Sequence, residues 1–297
     1  MLRFLAFLLL VPLAAACATT GPAAPAFTSE RISVEVHGRG PDVVLIPGLS
    51  SSPRVWDGTI AAVPGYRYHI VHVAGFAGKP AGANAAGPVL APVGEEIARY
   101  IREARLERPA IVGHSMGGSW AMMVAGRHPE LVRRAMVVDM MPFMGALFGP
   151  PGATAESVRP LAEQIRQGMR ASTGAGRRAI IEPMIAGMIR TESLRPAVVE
   201  QSLASDPAVS SQGFYDLIVT DLTPDLANIR VPLTVLYVQP AGAPLTEAQL
   251  DQYYAMAYRG VPARDVRRIP DSAHFIMFDQ PELFQRELRS FLSATPR

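Results

Sequence analysis

The pentapeptide Gly113-His114-Ser115-Met116-Gly117 constrains this chain more than any other stretch. Before it stands Pro109-Ala110-Ile111-Val112, a short apolar run of the kind found in strands buried on both faces. After it, Gly117 to Arg127 is a helix-forming run of small and apolar residues. A strand that turns into a helix within one residue strains its backbone at the turn. Glycines two places before and two after leave room there for neighbouring chains. The turn presents the Ser115 hydroxyl at a helix N-terminus, where the dipole favours developing negative charge. A serine in this setting is a candidate nucleophile. The bland alternative is a structural turn kept in a protein without activity.

The rest of the chain supplies a matching scaffold. Ile32, Val34 and Val36 alternate with polar residues, which predicts a strand with one buried face. Val43 to Ile46, His69 to Val73, Ala135 to Val138, Leu233 to Val238 and Val266 to Ile269 read as further strands. Gly75 to Pro92 is dense in Gly, Ala and Pro and is expected to be loop, and Val93 to Arg105 has helical spacing. A last helix is predicted from Pro281 to about Leu292. Alternating β and α segments point to a mostly parallel central sheet flanked by helices, an α/β fold. The alternation stops between Met140 and about Asp225, where the pattern is helical and rich in Met, Ala and Arg. Pro183 and Gly187 are expected to interrupt any helix from Ile180 to Ile189.

From about Ile32 to Leu292 the chain resembles the α/β-hydrolase family, in its esterase, lipase and dehalogenase-like branch with a helical cap. Gly113 to Gly118 matches that family's Gly-His-Ser-Met-Gly-Gly form. Leu45-Ile46-Pro47-Gly48-Leu49 resembles the segment after the family's third strand, with Pro47 in place of the more usual histidine. Asp271-Ser272-Ala273-His274-Phe275 with Gln280-Pro281-Glu282 resembles its histidine loop and last helix. The resemblance implies one hydrolase domain over 29–297, with a cap at about 141–225 inserted between the sixth and seventh strands. It also implies a serine hydrolase, a carboxylesterase in type, acting on a small or medium apolar ester through an acyl-serine. A serine hydroxyl needs a base at neutral pH, and His274 stands where the family places one. His37, His69, His72 and His128 are expected to be structural or exposed, and His114 a packing residue. Backbone N–H groups of Leu49 and Met116 occupy the oxyanion-hole positions.

The acid departs from the family. Most members carry Asp after the strand that here ends at Val238, but this chain has Gln239-Pro240-Ala241-Gly242. Asp139, at the end of the preceding strand, preserves the order serine, acid, histidine. Asp221, Asp225, Asp271 and Asp279 are alternatives, as is a dyad assisted by Gln239 or water. Met140, Phe143, Met144 and Phe148 are candidate substrate-pocket residues, because flexible apolar side chains suit irregular apolar ligands. Packing of the cap onto the sheet is the competing reading of each. The same apparatus could cleave an amide, thioester, lactone or carbon–carbon bond. A non-catalytic envelope binding protein of the same fold is a further alternative, favoured by the missing carboxylate at Gln239.

The N-terminus reads as an export signal: Arg3 is followed by an apolar run from Phe4 to Ala16. Ala14-Ala15-Ala16 leads into Cys17, the only cysteine, which resembles a bacterial lipoprotein signal. Plain cleavage after Ala16 or Ala18 explains the same residues. The expected location is periplasm or outer membrane as a lipoprotein, or secretion, with membrane anchoring through lipidated Cys17. Residues 18–28 read as a flexible tether. One cysteine leaves no internal disulfide, so the core must hold the fold. At 49% hydrophobic and 18% charged, with net charge +2 and no long basic run, the chain has neither disorder composition nor a nucleic-acid footprint. No metal-binding, phosphate-loop or cofactor motif is present, and the expected chemistry needs none.

Overall fold

The computed structural model describes residues 27–240, 242 and 245–294. The expected export signal, Cys17 and the tether as far as Ala26 lie outside these residues. Seven strands form one sheet: β1 (Ile32–Gly38), β2 (Asp42–Ile46), β3 (Arg67–Val73), β4 (Ala110–His114), β5 (Arg134–Val138), β6 (Leu233–Tyr237) and β7 (Arg264–Arg268). Their order is β1-β3-β2-β4-β5-β6-β7. Only β1 is antiparallel, with Ile32 opposite Val73 of β3. Successive side chains of a strand face opposite ways. Val43, Leu45, Val112, Met136 and Val138 therefore enter one hydrophobic core, while Val44, Ile46, Ile111, Ala135 and Val137 enter the other. Two buried faces explain the unbroken apolar runs 43–46, 110–112 and 135–138.

Helices α1 (Asp57–Ala62), α2 (Leu90–Glu103) and α3 (Met116–Arg127) follow β2, β3 and β4. α2 begins at Leu90, inside the stretch expected to be loop. The amides of Val89 and Leu90 donate to Asp216 Oδ2 at 2.6 and 3.0 Å. A carboxylate more than a hundred residues away thus caps this helix and sets where it starts.

Between β5 and β6 the chain builds four helices, α4 (Ala155–Ala171), α5 (Gly174–Met188), α6 (Arg195–Ala204) and α7 (Pro207–Val219). The insertion follows the fifth of seven strands, not the sixth, because a single strand precedes β2 among the described residues. α4 opens on a Thr154–Ser157 capping box, and α7 on Asp206, which accepts from the amides of Ala208 and Val209. Helix α5 runs unbroken through Pro183 and Gly187, contrary to the sequence expectation. Proline removes one hydrogen bond, to the carbonyl four residues back. Here Ala179 and Pro183 are both on the exposed side, where water can serve that carbonyl. After β6 come α8 (Glu247–Ala257), β7, α9 (Ile276–Asp279) and α10 (Pro281–Ser293), which buries Phe284, Leu288, Phe291 and Leu292.

From β2 the chain turns to β3 on one side, while β4 lies on the other. The crevice beyond the carboxyl ends of β2 and β4 is therefore a topological switch point, where open α/β sheets bind ligands. Leu49 and Ser115 stand just beyond those two strand ends.

Candidate active site

Ser115 occupies the single residue between β4 and α3, with φ 55° and ψ −126°. This is a backbone conformation that side-chain-bearing residues adopt at a cost of about 1–3 kcal/mol. Neighbouring bonds hold it there. The Ser115 amide donates to the Val138 carbonyl at 2.8 Å, and the Gly118 amide donates to the Ser115 carbonyl at 2.7 Å. The flanking glycines are required by space. A Cβ on Gly113 would stand 1.9 Å from the Gly117 carbonyl oxygen, and one on Gly117 would stand 2.2 Å from that of Ile46. A Cβ on Gly48 would approach Ser115 Cβ to 2.9 Å and Oγ to 3.3 Å, so Gly48 clears space beside the hydroxyl.

Asp139 repeats the same move one strand over. It follows β5 directly, has φ 52°, and its amide donates to the Leu236 carbonyl at 2.7 Å. Its carboxylate is fixed on both oxygens: Oδ1 accepts the Val238 amide at 3.1 Å, and Oδ2 lies 2.6 Å from His274 Nδ1. A carboxylate can only accept, so Nδ1 carries the proton and Nε2 of the neutral ring is left with a free lone pair. The Asp139 side chain is 11% exposed and that of His274 is 21% exposed. Among the described residues no hydrogen bond joins His274 Nε2 to Ser115 Oγ, a contact that commonly tightens only once substrate is bound.

The other carboxylates weighed from sequence are engaged elsewhere. Asp221 accepts the Thr223 amide, Asp225 pairs with Arg127, and Asp271 faces Arg190 at 3.6 Å. Gln239 donates to the Leu245 carbonyl at 2.9 Å. Asp279 sits beside the histidine loop but binds amides: Ala273 on that loop, and Arg190 and Thr191 on the cap.

His114 is fully buried, and burial pushes its pKa well below the ordinary 6.5, helped by the neighbouring His274. Its Nε2–H donates to the His274 carbonyl at 3.0 Å, which leaves Nδ1 without a proton and without a partner. The two imidazole centroids are 4.6 Å apart. His69 is buried too. It donates to Asp42 at 2.8 Å and accepts from the Tyr100 hydroxyl at 2.6 Å, far from Ser115 in the fold, at the opening of β3. His72 bonds the Phe76 carbonyl, His128 pairs with Glu95, and His37 is half-buried beside Glu35.

Neither the Leu49 nor the Met116 amide has a backbone acceptor among the described residues. Their side chains meet on one cap glycine. A Cβ on Gly213 of α7 would be 3.1 Å from Leu49 Cδ1 and 3.2 Å from Met116 Cε. Next to Leu49, Ser50 has φ 58° and its hydroxyl lies 2.9 Å from that of Ser210 on α7. The Ser52 amide donates to Gln201 of α6 at 2.9 Å. The cap thus sits directly on the loop that follows β2. These cap contacts have no local sequence signal, since each joins residues about 150 positions apart.

The four candidate pocket residues have packing partners. Phe143 and Phe148 join Val158, Ala162 and Ile218 in a small core between α4 and α7, where Phe148 also meets Phe214 edge-on. Met140 is 6% exposed and, with Met144, packs in the core on one face of the sheet. These contacts give the aromatic pair a packing role between α4 and α7, the competing reading weighed for them from sequence.

Comparison with known proteins agrees with this architecture. The family described as "Alpha/beta hydrolase family" matches residues 43–287. A pimeloyl-[acyl-carrier protein] methyl ester esterase of Vibrio vulnificus is 26% identical over 265 residues, covering 86% of this chain and 96% of that protein. A putative carbamate hydrolase of Yersinia enterocolitica is 30% identical, but over only 34% of this chain and 37% of its own length. Among solved structures, an esterase from Exiguobacterium antarcticum superposes with TM-score 0.71 at 20% identity, covering 89% of this chain and 96% of that one. At that identity the likeness establishes the fold alone.

Proposed function

The chain belongs to the alpha/beta hydrolase family, and from that premise we propose that it is a carboxylesterase that uses Ser115 as nucleophile, His274 as base and Asp139 as the acid of the triad. The observation that carries this reading is the 2.6 Å contact between Asp139 Oδ2 and His274 Nδ1. It supplies the carboxylate that is absent after β6, and it weighs against a non-catalytic binding role. The ester named for the Vibrio vulnificus relative supports the bond type.

In the first half-reaction His274 Nε2 takes the Ser115 proton as Oγ attacks the ester carbonyl. The carbonyl oxygen becomes an oxyanion, held by the Leu49 and Met116 N–H groups. When the tetrahedral species collapses, the imidazolium gives its proton to the departing alcohol. Water then adds to the acyl-serine by the same proton transfers in reverse, releasing the acid and restoring Ser115. Asp139 holds the tautomer with Nδ1–H and steadies the imidazolium. Desolvated surroundings strengthen these interactions, and α7 packs against the Leu49 and Met116 side chains beside them. An apolar acyl or alcohol group of small or medium size suits a cap seated this closely.

The test is hydrolysis of p-nitrophenyl esters of graded acyl length by wild type and Ser115→Ala. Turnover by the first and loss of about 10⁶-fold in kcat by the second is expected. Equal activity of the two proteins overturns the assignment of Ser115. Export, with either lipidation at Cys17 or cleavage beside it, is part of the same proposal and rests on residues 1–18 of the sequence. Incorporation of labelled palmitate that is lost in Cys17→Ala distinguishes a lipoprotein from a cleaved, soluble product.

A further inference from the structure

We propose that Asp279 is a positioning residue that couples the seating of the cap to the placement of His274, an inference that rests on His274 being the base. Asp279 ends α9, five residues after the histidine. Its Oδ1 accepts the amides of Arg190 and Thr191 at 3.0 and 2.8 Å and the Thr191 hydroxyl at 2.9 Å. These groups lie in the cap just after α5. Its Oδ2 accepts the Ala273 amide at 2.9 Å and the Arg190 amide at 3.1 Å. One carboxylate therefore joins the cap to the residue before His274. On the other side of the histidine, the Phe275 amide donates to the Met188 carbonyl at 3.2 Å.

The peptide of His274 is consequently held at three points. The amides before and after it are tied to cap residues 188–191, and its own carbonyl accepts His114 Nε2–H at 3.0 Å. The ring has one further anchor, Asp139 at Nδ1. A shift of cap residues 188–191 moves the backbone of His274 while Nδ1 stays on Asp139, so the ring must tilt and Nε2 leaves its line to Ser115 Oγ. Only a carboxylate serves here. Every group facing Asp279 in these contacts is a donor, and an amide side chain would turn an NH₂ toward one of them. A cap that closes correctly therefore completes the base, and a displaced cap disables it.

The full chain tests this with Asp279→Asn and Asp279→Ala, each made alone and together with His274→Ala. In steady-state ester hydrolysis the single substitutions should lower kcat on the order of 10- to 100-fold, more than they raise KM, as a misplaced catalytic group does. In the His274→Ala background they should lower the residual rate no further. An unchanged kcat, or an equal loss in both backgrounds, overturns the proposal. Hydrogen exchange of the folded Asp279→Asn protein gives a second readout. Amides at 190–191 and at 273 should lose protection together, and loss confined to 190–191 overturns the coupling. If wild type hydrolyses no ester, the esterase reading fails by itself, and the exchange result still decides whether Asp279 links cap and histidine loop.

Discussion

At the scale of single residues, the proposed chemistry rests on two positions with the same backbone geometry. Ser115 and Asp139 each stand one step beyond a parallel strand with φ above +50°. Each has its amide bonded to the next strand, so the proposed nucleophile and acid stand at adjacent strand ends. Ser115 was legible because its glycines mark the turn from either side. Asp139 was legible only through chain order and the lack of a carboxylate near Gln239. What no sequence pattern carried was the Val238 amide on Asp139 Oδ1, which fixes the carboxylate from the strand that lacks its own acid. Asp139→Asn should lower kcat by roughly 10²- to 10⁴-fold, since the amide can favour the wrong imidazole tautomer. Gln239→Ala, which removes only a bond to the Leu245 carbonyl, should stay within about twofold. The pair of kcat values, measured on one ester, separates the two candidate positions. Comparable losses would point back to Gln239.

At the scale of elements, the central strands β2, β4 and β5 were readable because two-sided burial leaves each an unbroken apolar run, and the alternation of cores confirms the reason. The cap was readable as helical but not as a set of contacts. Helix α5 was misjudged because a proline or glycine inside a helix is a local cost that packing of the rest of the helix, here through Ile181 and Ile185, can outweigh. α8 escaped notice because Glu247 to Ala257 buries little beyond Leu250 and Tyr254, too few for a clear apolar stripe. The element that most affects the site is α7, whose Gly213 lies against both Leu49 and Met116. Alanine at this position meets only the movable ends of two side chains. Leucine does not fit without pushing α7 outward, an overpacking that costs about 1–3 kcal/mol. Gly213→Leu should therefore lower the urea midpoint and kcat/KM together, whereas Gly213→Ala should retain most activity. A leucine variant with wild-type kcat/KM would show that α7 does not bear on the oxyanion pair.

At the scale of the whole molecule, buried imidazoles tie stability to pH. Burial holds His69 and His114 below their ordinary pKa of 6.5, although Asp42 works against this at His69. Below pH 6.5 the unfolded chain binds protons that the folded chain refuses, so stability rises with pH in this range. It is present in full above 6.5 and is lost as pH falls toward the folded values, by up to about 1.4 kcal/mol per unit for each histidine still neutral. Melting temperatures between pH 7.5 and 5 should fall, and His114→Asn should flatten part of that fall. A parallel fall in the variant would remove His114 from the account. The strand order, with β1 returning antiparallel beside β3, was not legible at all, because pairing partners are set by the finished sheet. The Asp139–His274 pair leaves the proposed triad with no need of a carboxylate in the chain after β6. From Pro240 to Leu245 it bears no carboxylate and no imidazole, and Pro240, Gly242 and Leu245 lie in solvent. Under that assignment the exposed position Gly242 is released from the reaction, so a tag or docking loop spliced in beside it should leave the proposed ester hydrolysis intact.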